Sequence, residues 1–336
     1  MTSIRIARSF VAAESAAELI AAEYDCAAPV TCKLFSKLLR TQDNDHYLVT
    51  AGDGEQYAFR IYQQGDRFHR AESDYLYELD WLRFLHAEGL PVSYPIQRRD
   101  GGYLGRLEAP EGTRYYALFS LAYGDPLSLK DADQLSIMGE MMARIHVASD
   151  RFTTPQARKP LDLAYLLDRP LERLRRTWTD ERAANLDLVL TAAEEAREEL
   201  QDYVGRSAAI DGRWGPIGGD FHQSSVYFNE VNEPTFFNFD LCGPGWRAYD
   251  IASFLSNGNL MHAPAERSEA FFAGYYSVRP LADEGPEKGL PLFGFLTQLW
   301  RARDGMIHLS PAPLYHSAPL AHLGVTLRMG GTAIVM

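Results

Sequence analysis

The hydrophobic pattern changes period near residue 123, and that change narrows the architectures open to the chain. Before it, apolar residues come in short alternating runs. Tyr47-Leu48-Val49-Thr50 and Tyr57-Ala58-Phe59-Arg60-Ile61-Tyr62 flank Ala51-Gly52-Asp53-Gly54, so a β-hairpin closed by a Gly/Asp turn is expected. Tyr115-Tyr116-Ala117-Leu118-Phe119 reads as a buried strand. One helix interrupts these strands. Over residues 71–88, Tyr75, Leu76, Leu79, Leu82, Phe84 and Leu85 recur at helical spacing, and Gly89 stands where a C-cap glycine would. Pro91, Pro95 and the tight turn Asp100-Gly101-Gly102 follow, and the breakers Tyr123-Gly124-Asp125-Pro126 close the segment.

Beyond the breakers the period is helical. Asp131 precedes a run through Leu135, Met138, Met141, Met142 and Ile145 to His146, as an N-capping acid would. A second long helix is expected over residues 181–204, and further helical stretches over 249–255, 265–276 and 292–308. Short strands return at Val226-Tyr227-Phe228 and Thr235-Phe236-Phe237, on either side of a polar turn. Residues 324–336 read as a weak strand or loose tail, and no repeat or low-complexity tract is found.

At 336 residues the chain exceeds the ~250–300 at which one core usually divides, so two lobes are expected. We place them at residues 1–122 and 123–336. The fold class is α+β: an antiparallel sheet with one long helix, then a mainly helical lobe. A net charge of −12 disfavours nucleic acid and favours a cationic partner. No apolar run reaches the ~18 residues of a membrane span, and Arg5 and Arg8 interrupt any secretory signal, so no membrane and a cytoplasmic location are expected. Cys26, Cys32 and Cys242 are too few and scattered for a disulfide framework or zinc site.

The chemistry concentrates in one block: Gly218-Gly219-Asp220-Phe221-His222-Gln223-Ser224-Ser225-Val226, then Phe237-Asn238-Phe239-Asp240, then Gly245-Trp246-Arg247-Ala248-Tyr249-Asp250-Ile251-Ala252. In order, spacing and flanks this resembles the catalytic loop, metal-binding hairpin end and following helix of the aminoglycoside phosphotransferase and choline kinase family. The resemblance implies a bilobal protein kinase-like fold, ATP or GTP with Mg2+ as cofactors, and a small-molecule acceptor, cationic in several relatives.

It also implies residue roles. Asp220 falls where the family's catalytic carboxylate orients the acceptor hydroxyl. Arg60 takes the place of the strand lysine that meets nucleotide phosphates, with Glu78 as its helix partner; Phe119 and Leu121 lie at the nucleotide-side hinge. Asp250 matches the acid that ties down the catalytic loop through backbone amides. His222 reads as a loop residue, since no second His or Cys lies at ligand spacing. Candidate acceptor-side residues are Asp162, Asp168, Glu172, Trp246, Trp300, Arg301, Arg303 and Asp304.

Three positions depart from the family pattern. Gly218 replaces a histidine, which is expected to loosen the loop. The two usual magnesium ligands become Ser225 and Asn238, both neutral, and magnesium prefers carboxylate oxygens. Asp240 becomes a substitute ligand if the strand continues past Asn238, because alternate residues share a face. The segment from Leu39 to His46 contains no glycine, and its acids Asp43 and Asp45 are expected to repel a triphosphate. Three readings therefore stand: a phosphotransferase with a weakened metal site, a pseudokinase serving as a binding module, or a different reaction on the same scaffold.

Overall fold

The computed structural model describes residues 8–35, 44–63, 70–177, 212–258 and 263–279, with Ile6, Leu260, parts of a helix between 186 and 201, and two short strands near the C-terminus. They form two compact units, one of residues 1–124, 153–158 and 235–237, the other of residues 125–152, 159–234 and 238–336.

The first unit is a five-stranded antiparallel sheet with two helices. In chain order these are α1 (Ala13–Glu23), β1 (Thr31–Leu34), β2 (Asp45–Thr50), β3 (Gln56–Ile61), α2 (Glu72–Ala87), β4 (Gly105–Ala109) and β5 (Gly112–Ser120). The sheet order is β1-β2-β3-β5-β4, so β3, carrying Arg60, is central. The expected hairpin is β2–β3, in a register that sets His46 opposite Arg60. One sheet face packs on α1 through Ala16, Ile20, Tyr24, Tyr47, Val49, Phe59, Ile61, Tyr116 and Leu118, all at most 1% exposed. Burying the larger of these apolar side chains contributes roughly 1.5–3 kcal/mol each before the entropy of ordering them is counted. Helix α2 begins with Asp74 accepting from the Ala71 amide at 2.7 Å and buries Tyr75, Glu78, Leu79, Trp81, Leu82 and Leu85.

Asp45 does not face phosphate as expected. It is 1% exposed at the start of β2, paired with Arg114 at 2.7 Å and with Arg8. Two guanidinium groups neutralise it, so its charge is spent inside the unit. Asp43 lies outside the described residues.

The second unit opens with the two-residue strand β6 (Asp125–Pro126) and α3 (Ala132–Ser149), where Asp131 caps by accepting from the amides of Asp133 and Gln134. Helix α4 (Arg169–Thr177), β7 (Trp214–Ile217), β8 (Val226–Phe228), β9 (Pro234–Phe236, of which Thr235 and Phe236 count with the first unit), β10 (Gly243–Trp246), α5 (Arg247–Asn257) and α6 (Ala265–Val278) follow. Strands β7 and β10 pair antiparallel, as do β6 and β8. Helices α3 and α6 touch at Gly139 and Gly274, where a Cβ would meet facing carbonyl oxygens at 1.9 and 1.8 Å. That approach brings Tyr275 of α6 within reach of His146 of α3.

Most of the helix expected over 181–204 lies outside the described residues; those that are described there are helical. The helix expected over 292–308 likewise lies outside them, except that Ile307 opens a strand, β11 (Ile307–Ser310), parallel to β12 (Thr332–Val335). No helix among the described residues is long and apolar enough to cross a membrane. None of the three cysteines is in a disulfide.

Candidate active site

In the second unit, the loop after β7 is fastened from beneath. Asp250, fully buried in the first turn of α5, accepts from the backbone amides of Gly218 and Gly219, both at 2.7 Å. His146 places Nε2 3.1 Å from Asp250 Oδ2 and Nδ1 2.9 Å from the Tyr275 hydroxyl. Burial pushes the imidazole down to about 4, against its hydrogen bond to Asp250, so at neutral pH it is uncharged. Asp250 can only accept. Nε2 therefore carries the proton, and Nδ1 accepts from the Tyr275 hydroxyl.

Gly219 is required twice over: its φ is +79°, and a Cβ would meet the Leu241 carbonyl oxygen at 2.5 Å. At Gly218, the position expected to loosen the loop, the amide is held by Asp250, and a Cβ there would meet the Phe221 ring at 2.6 Å. That ring is buried and packs edge-on against Phe239, with centroids 5.7 Å apart.

Asp220 projects from this fastened loop. Its side chain keeps 36% of its surface exposed, yet partial burial of the carboxyl is the first cause that pushes it up to about 7, followed by the negative charges of Asp240 and Asp250. His222 brings Nε2 to 3.9 Å from Asp220 Oδ2, while its Nδ1 accepts from the Ser224 amide.

A raised carboxyl has a defined effect on stability. Below its ordinary value of 3.8 it is protonated whether the chain is folded or not; between 3.8 and about 7 the unfolded chain ionises first, so stability falls as pH rises. Above 7 the whole penalty stands. Asp220→Asn is therefore expected to raise the urea midpoint most above pH 7, with an advantage that shrinks steadily toward pH 5. A gain independent of pH across that range would contradict the raised carboxyl.

Of the sequence-derived metal candidates, Ser225 is 1% exposed, and its hydroxyl donates to the His222 carbonyl at 2.7 Å and accepts from the His222 amide at 3.0 Å. Asn238 adopts φ +67°, a left-handed conformation that asparagine tolerates. The strand stops at Phe236, so strand alternation does not govern where Asp240 points. Asp240 is nevertheless close enough to Asp220 to raise its carboxyl. Among the described residues, no three of His, Cys, Asp and Glu cluster to hold a metal ion.

The first unit holds the other candidates. Arg60, 6% exposed, gives Nη1 to Glu78 Oε1 at 2.6 Å, and fully buried Glu78 also accepts from the Tyr62 hydroxyl at 3.1 Å. Arg60 Nε points to His46 Nε2 at 3.2 Å, and its guanidinium carbon sits 4.7 Å from the centre of the Phe119 ring. Leu121 follows β5 and is half-buried.

On the acceptor side the candidates do not come together. Asp162 caps the Tyr165 amide, Asp168 pairs with Arg197, Glu172 with Arg176, and Trp246 packs edge-on against Trp214. Residues 300–304 lie outside the described residues. Sequence reasoning gave no role to His46, Tyr62, His146 or Tyr275. Only His46 had a usable signal, since the hairpin register alone sets it opposite Arg60.

An antiparallel sheet bearing a buried cation–glutamate pair, and a helical unit bearing a fastened Gly-Gly-Asp loop, define a kinase-like phosphotransferase. The chain belongs to the phosphotransferase enzyme family, whose model matches residues 35–289. It is 33% identical over 276 residues to an uncharacterized protein of Synechocystis, covering 81% of this chain and 72% of that one. It is 28% identical over 241 residues to a homoserine kinase of Agrobacterium fabrum, covering 68% and 70%. Among solved structures, an amicoumacin kinase in complex with AMP-PNP, Ca2+ and Ami superposes with a TM-score of 0.66 at 19% identity, covering 85% of this chain and 84% of that one.

Proposed function

We propose that this chain transfers the terminal phosphoryl group of ATP or GTP to a hydroxyl of a small, cationic molecule. The observation that carries the reading is the Asp220–Asp240 carboxylate pair beside a loop fastened by Asp250. Asp220, poised near neutrality, takes the hydroxyl proton as the oxygen attacks the terminal phosphorus; that phosphorus then parts from the bridging oxygen and the nucleoside diphosphate leaves. Arg60, on the nucleotide side, offers a cation to the phosphates. An acceptor with both an amino and a hydroxyl group suits the acidic chain; homoserine, named for a relative, carries both but adds a carboxylate, so an amino alcohol without one fits the charge better.

The negative charge of Asp240, felt by Asp220, is one that a cation bound at Asp240 would offset. Asp240 would be the charged ligand for Mg2+, with side-chain oxygens of Asn238 and Ser225 completing the set. Bound there, the ion would offset phosphate charge.

A second reading, a pseudokinase that serves as a binding module, is favoured by Ser225, whose hydroxyl already serves the His222 backbone. Calorimetric titration with ATP and GTP, each with and without Mg2+, separates the two. The phosphotransferase reading expects Mg2+-dependent affinity that falls at least about tenfold in Asp240→Ala. Nucleotide binding indifferent to Mg2+ and to that substitution would favour the pseudokinase, and no binding at all would defeat the kinase reading.

A further inference from the structure

His46 on β2 and Arg60 on β3 are direct cross-strand partners, with Nε2 and Nε 3.2 Å apart. A guanidinium only donates, so Nε2 is the unprotonated nitrogen and His46 is neutral here. The same guanidinium is held by Glu78 of α2 through Nη1 and lies over the Phe119 ring of β5. Glu78 fixes one in-plane point of the group through Nη1, and the aromatic face sets its tilt but not its in-plane rotation. His46 supplies a further in-plane point through Nε. A lysine at position 60 would bring no Nε, so the imidazole has this work only because the cation is arginine.

We propose that His46 is a positioning residue for Arg60, fixing the guanidinium plane against Glu78 and Phe119 so that an anionic phosphate ligand meets it in one orientation. The proposal rests on the nucleotide-side reading of Arg60.

The test uses the full chain and Mg2+·AMP-PNP in a calorimeter. His46→Phe is expected to weaken binding about tenfold, the effect of losing one hydrogen bond to a charged group. His46→Gln, whose side-chain oxygen can accept from Nε, recovers most of that loss. In an Arg60→Lys background, His46→Phe changes nothing further. Nuclear magnetic resonance follows the Arg60 Nε–H directly: its signal is protected from exchange in the parent and in His46→Gln, and lost in His46→Phe.

Unchanged affinity in His46→Phe, equal losses in the Phe and Gln variants, or an undiminished loss in the Lys background overturns the proposal. If the parent binds no nucleotide, the proposed function fails on its own account. The resonance experiment then decides His46 alone: a protected Nε–H surviving His46→Phe defeats the positioning role, and its loss there with retention in His46→Gln upholds it.

Discussion

Asp220→Ala is expected to lower phosphoryl transfer by about 10²–10⁴-fold, the usual worth of a positioned general base, while nucleotide affinity stays within about twofold of the parent. The split follows from placement. Asp220 belongs to the Gly-Gly-Asp loop, whose backbone is held by Asp250, so removing its side chain leaves the loop anchored. The substitution also removes the charge that Asp240 repels, so any metal-dependent binding through Asp240 survives. Steady-state release of nucleoside diphosphate, with calorimetry on the same preparation, reads both quantities. Turnover retained at the parent rate would remove Asp220 from the acceptor hydroxyl, and loss of both turnover and nucleotide binding would mean the side chain holds the site together.

Asp250→Ala should act through folding. It strands three buried donors at once: the amides of Gly218 and Gly219 and the His146 Nε2–H. An unsatisfied buried donor costs about 1–3 kcal/mol, and some of that is offset because the buried carboxylate's own desolvation disappears; a net loss of about 3–5 kcal/mol is expected. Urea unfolding measures it, and hydrogen exchange at Gly218 and Gly219 locates it. Asp250→Asn should fall between, since its amide keeps one acceptor but turns an NH2 toward groups that also donate. A loss under about 1 kcal/mol in the alanine variant would mean that water takes over the fork without difficulty.

The elements legible in the sequence were those whose signal is local. The β2–β3 hairpin, helix α2 and the Asp131 cap each follow from side chains within a few residues of one another. Helix α1 went unread because its alanines leave a weak apolar stripe, with Ala16 and Ile20 its only buried residues. Strand β7, Trp-Gly-Pro-Ile, lacks alternation altogether and exists because β10 pairs with it.

The candidate site divides in the same way. Asp220, Asp250 and the Arg60–Glu78 pair were read from spacing and family pattern, and the buried contact of Arg60 with Glu78 and the Asp250 fork are now described. What escaped was set by distant partners. Asp45 looked like a free acid until Arg8 and Arg114 were seen to enclose it. The strand could not carry Asp240 to a known face, because Asn238 turns the backbone left-handed. His146 and Tyr275 are 129 residues apart, and no periodicity announces their meeting.

The space beside Gly218 is shared with Phe221: a Cβ at 218 would meet the ring at 2.6 Å, and that ring packs edge-on against Phe239. Any larger residue at 218 therefore needs the ring to give way first. Substitutions at 218 and 221 are coupled, and the effect of either is expected to depend on which residue the other position carries.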